Sequence, residues 1–278
     1  FMSFADSDKK RKELAIKNGK KGGKRNLKIL QEILLLRKEK SEILGFESYS
    51  EMVVKHRMSK KPETIKKFLE STIDKLKPEV IKDTKKVKSF AKKELGIKDL
   101  TFYNSSYVGN KYRKHLFDYD PNITKEYFQM DKVMDYMFSL FGKLFDISFK
   151  KNDLKLWDKD VLSFDVFRGG TKFSHIILDL YPRKGKYGHM ACWGLMPGEI
   201  DGFRGKNYKA PLSVIVGNFP KGTKKNPSLL SIGEIETLFH EFGHMCHNIL
   251  SKASFDSHSG TNTDFDFNLL SDNHSFVL

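Results

Sequence analysis

The chain has 278 residues, 39% of them apolar, enough to bury the core of one large domain or two small ones. Fifty basic against 35 acidic side chains give a formal charge of +15, but the lysines stand beside Glu or Asp, as in Lys38-Glu39-Lys40 and Lys92-Lys93-Glu94. That is the pattern of solvated helix faces rather than of an arginine-lined, phosphate-tracking groove, so no nucleic acid partner is expected. No run reaches the eighteen or so apolar residues of a membrane span, and the first residues lack the basic-then-apolar order of an export signal. Two cysteines are too few for a disulfide framework; a reducing, cytoplasmic location without membrane contact, and a monomer, are the expectations.

In chain order, residues 7–20 and 26–44 read as helices, the second with Leu27, Leu30, Ile33, Leu34 and Ile43 turned inward and Gly45 as its stop. Lys20-Lys21-Gly22-Gly23-Lys24-Arg25 reads as the loop between them. Pro62 opens a long pattern in which Ile65, Phe68, Leu69, Ile73 and Leu76 recur at helical spacing, passing Pro78 and running through Val87, Phe90 and Leu95 to Gly96. Residues 123–150 read as a further helix or pair, with an apolar band of Phe128, Val133, Met134, Met137, Phe138, Phe141 and Leu144, a core stripe rather than a cofactor box.

Near residue 155 the grammar changes. Residues 161–167 alternate, Arg168-Gly169-Gly170 punctuates, and residues 175–181 alternate again, which predicts a β-hairpin; Leu212 to Val216 offers another strand. A boundary there gives a helical part over 1–154 and a catalytic part over 155–278. Ser231, followed three residues later by Glu234, is a capping box, and Ile235, Leu238, Phe239, Phe242, Cys246 and Ile249 form the inward stripe of the helix it starts, which runs to about Leu250.

On a different face of that helix lies His240-Glu241-Phe242-Gly243-His244. Residues i and i+4 sit one above the other, so the two imidazoles can grip one metal ion, most simply zinc, and Glu241 is placed to take a proton from a water activated by it. The bare three-residue pattern would arise by accident on the order of one time in a hundred in such a chain; the cap and the amphipathic helix around it carry the weight. His247 extends the same side in a supporting rather than a ligating role, and Cys246 reads as a buried free thiol.

Three stretches, Leu178-Asp179-Leu180-Tyr181-Pro182-Arg183-Lys184-Gly185-Lys186-Tyr187-Gly188-His189, Ser228-Leu229-Leu230-Ser231 and Glu236-Thr237-Leu238-Phe239-His240-Glu241-Phe242-Gly243-His244, resemble the thimet oligopeptidase, oligopeptidase A and dipeptidyl carboxypeptidase family of zinc metallopeptidases. The resemblance implies a mainly α, zincin-type body with a small β-sheet beside the metal helix and a channel for short peptides. It also implies His240 and His244 as zinc ligands and Glu241 as the catalytic carboxylate. The strand through Leu178 and the loop through Gly188 and His189 would border the substrate, with Gly260 and Thr261 near the cleft. Family members supply a third ligand, a glutamate about 25 residues beyond the second histidine; Asp266-Phe267 fits the start of that stretch, but the glutamate position is Leu269. Asp264, Asp266 and Asp272 are alternatives that no spacing recommends. The oxyanion-stabilising histidine and tyrosines of the family come from later helices. The sequence is therefore expected to be an incomplete segment of a longer reading frame, a frame error after Phe267 being one route to it. Poor catalysis by the chain as written follows, with a catalytically dead peptide-binding fragment as the alternative function.

Overall fold

A computed structural model describes residues 1–200, 208–223, 225–253, 255–264 and 266. Two compact units divide the chain between Asp120 and Pro121. The sequence grammar changes later, near 155; packing instead groups the helix before that point with the sheet after it.

The first unit is helical: α1 (Asp8–Gly19), α2 (Gly23–Ile43), α3 (Tyr49–Val54), α4 (Pro62–Leu95) and α5 (Ser105–Phe117). Ser7 caps α1, whose Arg11 is buried with its guanidinium 4.1 Å above the Tyr107 ring and 2.7 Å from Asp8. Pro62 sits in the first turn of α4, where its missing N–H has no partner to lose, and Gly96 ends the helix in the left-handed conformation at φ 65°. Pro78 is accommodated within the one helix. Near its end, Phe90 and Ala91 bury against Tyr107 and Val108 of α5. The expected inward stripes of α2 and early α4 are not buried: Leu34 is 55% and Phe68 59% exposed, and Leu27, Leu30, Ile33, Ile43, Leu69, Ile73 and Leu76 are exposed with them. Helical periodicity defines a face, and burial needs an opposing surface; of these stripes only Ile65, half-buried in a groove shared with Val53 and Val54 of α3, finds one among the described residues.

The second unit begins with α6 (Pro121–Thr124), a 3₁₀ turn at Lys125–Tyr127 and α7 (Met130–Phe145). The helix expected to reach residue 150 stops earlier, because Asp146 turns left-handed at φ 53° and the next residues are needed as a strand. The strands are β1 (Ser148–Asn152), β2 (Leu162–Arg168), β3 (Thr171–Asp179), β4 (Ala191–Met196), β5 (Glu199–Ile200), β6 (Tyr208–Lys209) and β7 (Leu212–Val216), and α8 (Ile232–Leu250) follows. A five-stranded mixed sheet has the order β1-β2-β3-β7-β4, while β5 and β6 pair by themselves. The β2–β3 hairpin forms as the alternation predicts, β7 runs parallel to β3, and β4 closes the order antiparallel to β7.

The core lies between α7, α8 and the sheet. Phe242 on α8 meets Phe138 and Phe141 of α7 and Phe149 of β1 at centroid distances of 5.7, 4.8 and 5.7 Å. Met137, Ile176, Leu178, Ile215 and Leu238 are sealed around them. The architecture is mainly α with a small sheet against α8. No described helix is long and apolar enough to cross a membrane.

Candidate metal centre

The site is built on α8, and α8 starts where its capping box puts it. The Glu234 amide donates to Ser231 Oγ at 3.3 Å, and Glu234 Oε2 accepts from the Ser231 amide at 2.7 Å, which satisfies two otherwise orphaned N–H groups. Leu238, Phe242, Met245, Cys246 and Ile249 bury one face. That burial fixes the rotation of the helix, leaving His240, Glu241 and His244 half-buried on its flank.

His240 and His244 come together. Their Nε2 atoms are 3.1 Å apart, with ring centroids 4.7 Å apart and the planes nearly perpendicular. Two nitrogens each about 2.05 Å from a tetrahedral ion would lie about 3.3 Å apart, so the separation of the pair matches that of two ligands on one zinc ion, and it is equally that of a hydrogen bond between the rings. Among the described residues no group of three His, Cys, Asp or Glu side chains converges, so the structure brings two donors together. Leu269 and Asp272, where the sequence raised the question of a third donor, lie outside the described residues. His247 has its imidazole pushed below the ordinary histidine range by partial burial and by the neighbouring His244.

The strand beside this helix face is β4, which the sequence did not signal. Burial pushes the Cys192 thiol up to about 12, and the charge of Glu241 adds to that rise, which places the carboxylate within electrostatic reach of the strand. Both Cys192 and Cys246 are free thiols. The strand through Leu178 is β3, whose main-chain groups pair on both sides with β2 and β7; the sheet edge beside α8 is β4 instead.

Asn248, one turn beyond His244, ties the remaining pieces together. Its Nδ2 lies 3.9 Å from Cys192 Sγ, and its Oδ1 accepts from the Thr261 amide at 3.1 Å and the Thr261 hydroxyl at 3.3 Å. Gly260 is left-handed at φ 57°, and a Cβ there would meet the Asn248 Cα at 3.0 Å, so a side chain fits neither the conformation nor the space. Gly260 and Thr261 are thus docked onto the metal helix. At the other end of β4, His189 lies 5.6 Å from the Tyr187 ring, which in turn lies 5.5 Å from Trp193. Asn218 Nδ2 donates to the Tyr187 and His189 carbonyls at 2.9 and 3.3 Å, setting the backbone on either side of Gly188.

Sequence reasoning missed Asn248, β4 and the charges that hold the 181–189 loop. Asp179, at the end of β3, is the centre of these: burial raises its carboxyl pKa, but hydrogen bonds from Arg183, Lys186 and Trp157 outweigh this and hold it at about 2. The one available signal was the density of charge in Asp179-Leu180-Tyr181-Pro182-Arg183-Lys184-Gly185-Lys186 after an apolar strand.

Residues 1–270 match the model of peptidase family M3. The chain is 31% identical to a thimet-like oligopeptidase of Dictyostelium discoideum over 96% of its own length and 41% of the relative's. It is 29% identical to oligopeptidase A of Escherichia coli over 90% of this chain and 38% of that protein, and 31% identical to saccharolysin of Saccharomyces cerevisiae over 90% and 37%. The chain thus spans about two fifths of the length of these curated relatives. With a family match over nearly its full length and the HEFGH segment displayed on a capped helix, the chain belongs to peptidase family M3.

Proposed function

We propose that this chain carries the ligand-and-base helix and the peptide-binding edge of a zincin-type zinc oligopeptidase acting on short peptides. The observation that carries the reading is the convergence of the His240 and His244 Nε2 atoms, 3.1 Å apart, with Glu241 between them on one capped helix. Zinc held by these imidazoles would supply the positive charge that polarises a scissile carbonyl and makes water more acidic. Glu241 then takes the proton of the attacking water and passes it to the departing amine, one carboxylate serving as base and then as acid. The edge of β4 offers main-chain donors and acceptors to an extended peptide, with exposed Trp193, Leu195 and Met196 along it, and such pairing tolerates many sequences.

Two histidines leave coordination positions open, and Leu269 stands where a glutamate is expected, so the chain as written should hold zinc weakly and cleave slowly. A zinc titration followed by histidine side-chain NMR should move the signals of His240 and His244 first, and His244→Ala should abolish that response. Glu241→Gln should keep the metal response while lowering hydrolysis of a quenched fluorescent peptide by about a hundredfold or more. Zinc shifts spread evenly over all histidines, or hydrolysis indifferent to Glu241→Gln, would overturn the assignment. A second reading, peptide capture without cleavage, is favoured by the convergence of two donors rather than three among the described residues. Peptide affinity unchanged by chelator and by Glu241→Gln would select it.

A further inference from the structure

At the ends of the parallel strands β3 and β7 lies a buried cation that the hydrolytic chemistry does not use. The Lys186 side chain is 3% exposed, and its Nζ donates to the main-chain carbonyls of Asp179 (2.8 Å), Tyr181 (2.7 Å) and Gly217 (2.5 Å) while pairing with Asp179 Oδ1 at 2.9 Å. Asp179, itself 3% exposed, also takes both Arg183 nitrogens, at 2.6 and 2.7 Å, and the Trp157 indole N–H at 3.0 Å. A buried ammonium is costly unless every proton has an acceptor, and here each has one. Its acceptors come from two strand ends and the loop between Asp179 and Lys186, so this single group closes that loop onto the sheet. Immediately beyond it come Tyr187, Gly188 and His189, with the Tyr187 ring against Trp193 of the edge strand.

We propose that the Asp179–Lys186 clasp is a positioning device, which fixes residues 187–189 so that Tyr187 and His189 wall the start of the β4 edge. In the peptide-binding role this rests on the edge-strand reading above. The clasp touches neither ligand histidine nor Glu241 through any contact described, so it acts on peptide affinity and leaves the metal pair alone. An alternative role, plain stabilisation, would lower the melting temperature without moving Tyr187.

The chain's two tryptophans make the test direct, since Trp157 binds the clasp and Trp193 packs on the loop it holds. In a Trp157→Phe background the emission reports Trp193 alone. Lys186→Met should then shift that emission and raise its quenching by acrylamide about twofold in a chain still folded by circular dichroism. It should also weaken binding of a blocked, unstructured nine-residue Ala/Gly/Phe peptide by about tenfold, with the zinc response of His240 and His244 unchanged. Should Lys186→Met unfold the chain, Asn218→Ala, which removes two bonds to the same loop at a half-buried position, should move Trp193 emission in the same direction and cost about threefold in peptide affinity. A folded Lys186→Met chain with unaltered Trp193 emission overturns the positioning role, as does an Asn218→Ala chain with unaltered emission if the first variant unfolds. A wild-type chain that binds no peptide removes the edge-strand reading alone, and the clasp is still decided by the emission.

Discussion

The two compact units use similar helical patterns and reach opposite outcomes. On α4, Phe68, Leu69, Ile73 and Leu76 recur as regularly as Leu238, Phe242, Cys246 and Ile249 do on α8, yet the first set is exposed and the second is sealed in a core. Charge divides as sharply: 31 of the 50 basic and 17 of the 35 acidic side chains lie in residues 1–120, giving +14 there and leaving +1 for residues 121–278. An apolar stripe is therefore an offer rather than a contact. Where a sheet and a second helix accept it, the helix is locked in rotation and can aim histidines; where no described surface does, the same pattern fixes nothing.

The sharpest way to break this contrast is a pair of truncations. Phe242→Ala should cost about 3–5 kcal/mol in urea unfolding, because the ring is fully buried among three others, whereas Phe68→Ala should cost less than about 1 kcal/mol. Equal losses would show that the α4 stripe is packed after all. A smaller effect separates the units by acid. The unfolded chain protonates Asp179 near its ordinary 3.8, but the folded chain holds the carboxyl at about 2. The clasp therefore contributes fully above about pH 4, and on the order of 2 kcal/mol is lost as the pH falls toward 2. Asp179→Asn should flatten that limb of the stability profile for the second unit and leave the helical signal of the first unchanged. Smallest is Ser231→Ala, which should cost about 1 kcal/mol through the lost cap of α8, measured as a lowered melting temperature.

What was legible in the sequence was local. Pro62 and Gly96 bracket α4, Gly169 and Gly170 turn the β2–β3 hairpin, and Ser231 with Glu234 starts α8, because each signal lies within a few residues of the structure it dictates. The His240–His244 pair was legible for the same reason. The α5 helix escaped notice because Ser105-Ser106, Gly109 and Asn110 are weak helix formers held by packing on α4. β4 escaped because Gly194 and a register shift beside it erase its alternation. Asn248 grips Thr261 thirteen residues away, and Lys186 is one lysine among dozens until Gly217, thirty-one residues on, supplies its third carbonyl. Such partners are chosen by the fold, and a sequence read in windows cannot name them.

The order of the sheet has a consequence for how the chain is made. β4 leaves the ribosome right after the β2–β3 hairpin, yet the strand it pairs with, β7, which also lies parallel to β3, is sixteen residues further along. Until β7 arrives the main chain of β4 has neither edge paired, while Trp193, Leu195 and Met196, exposed even in the folded chain, add apolar surface to it, the kind of segment on which nascent chains aggregate. The interval after Met196 has emerged from the ribosome and before Val216 has is thus one in which binding of a chaperone to β4 is expected.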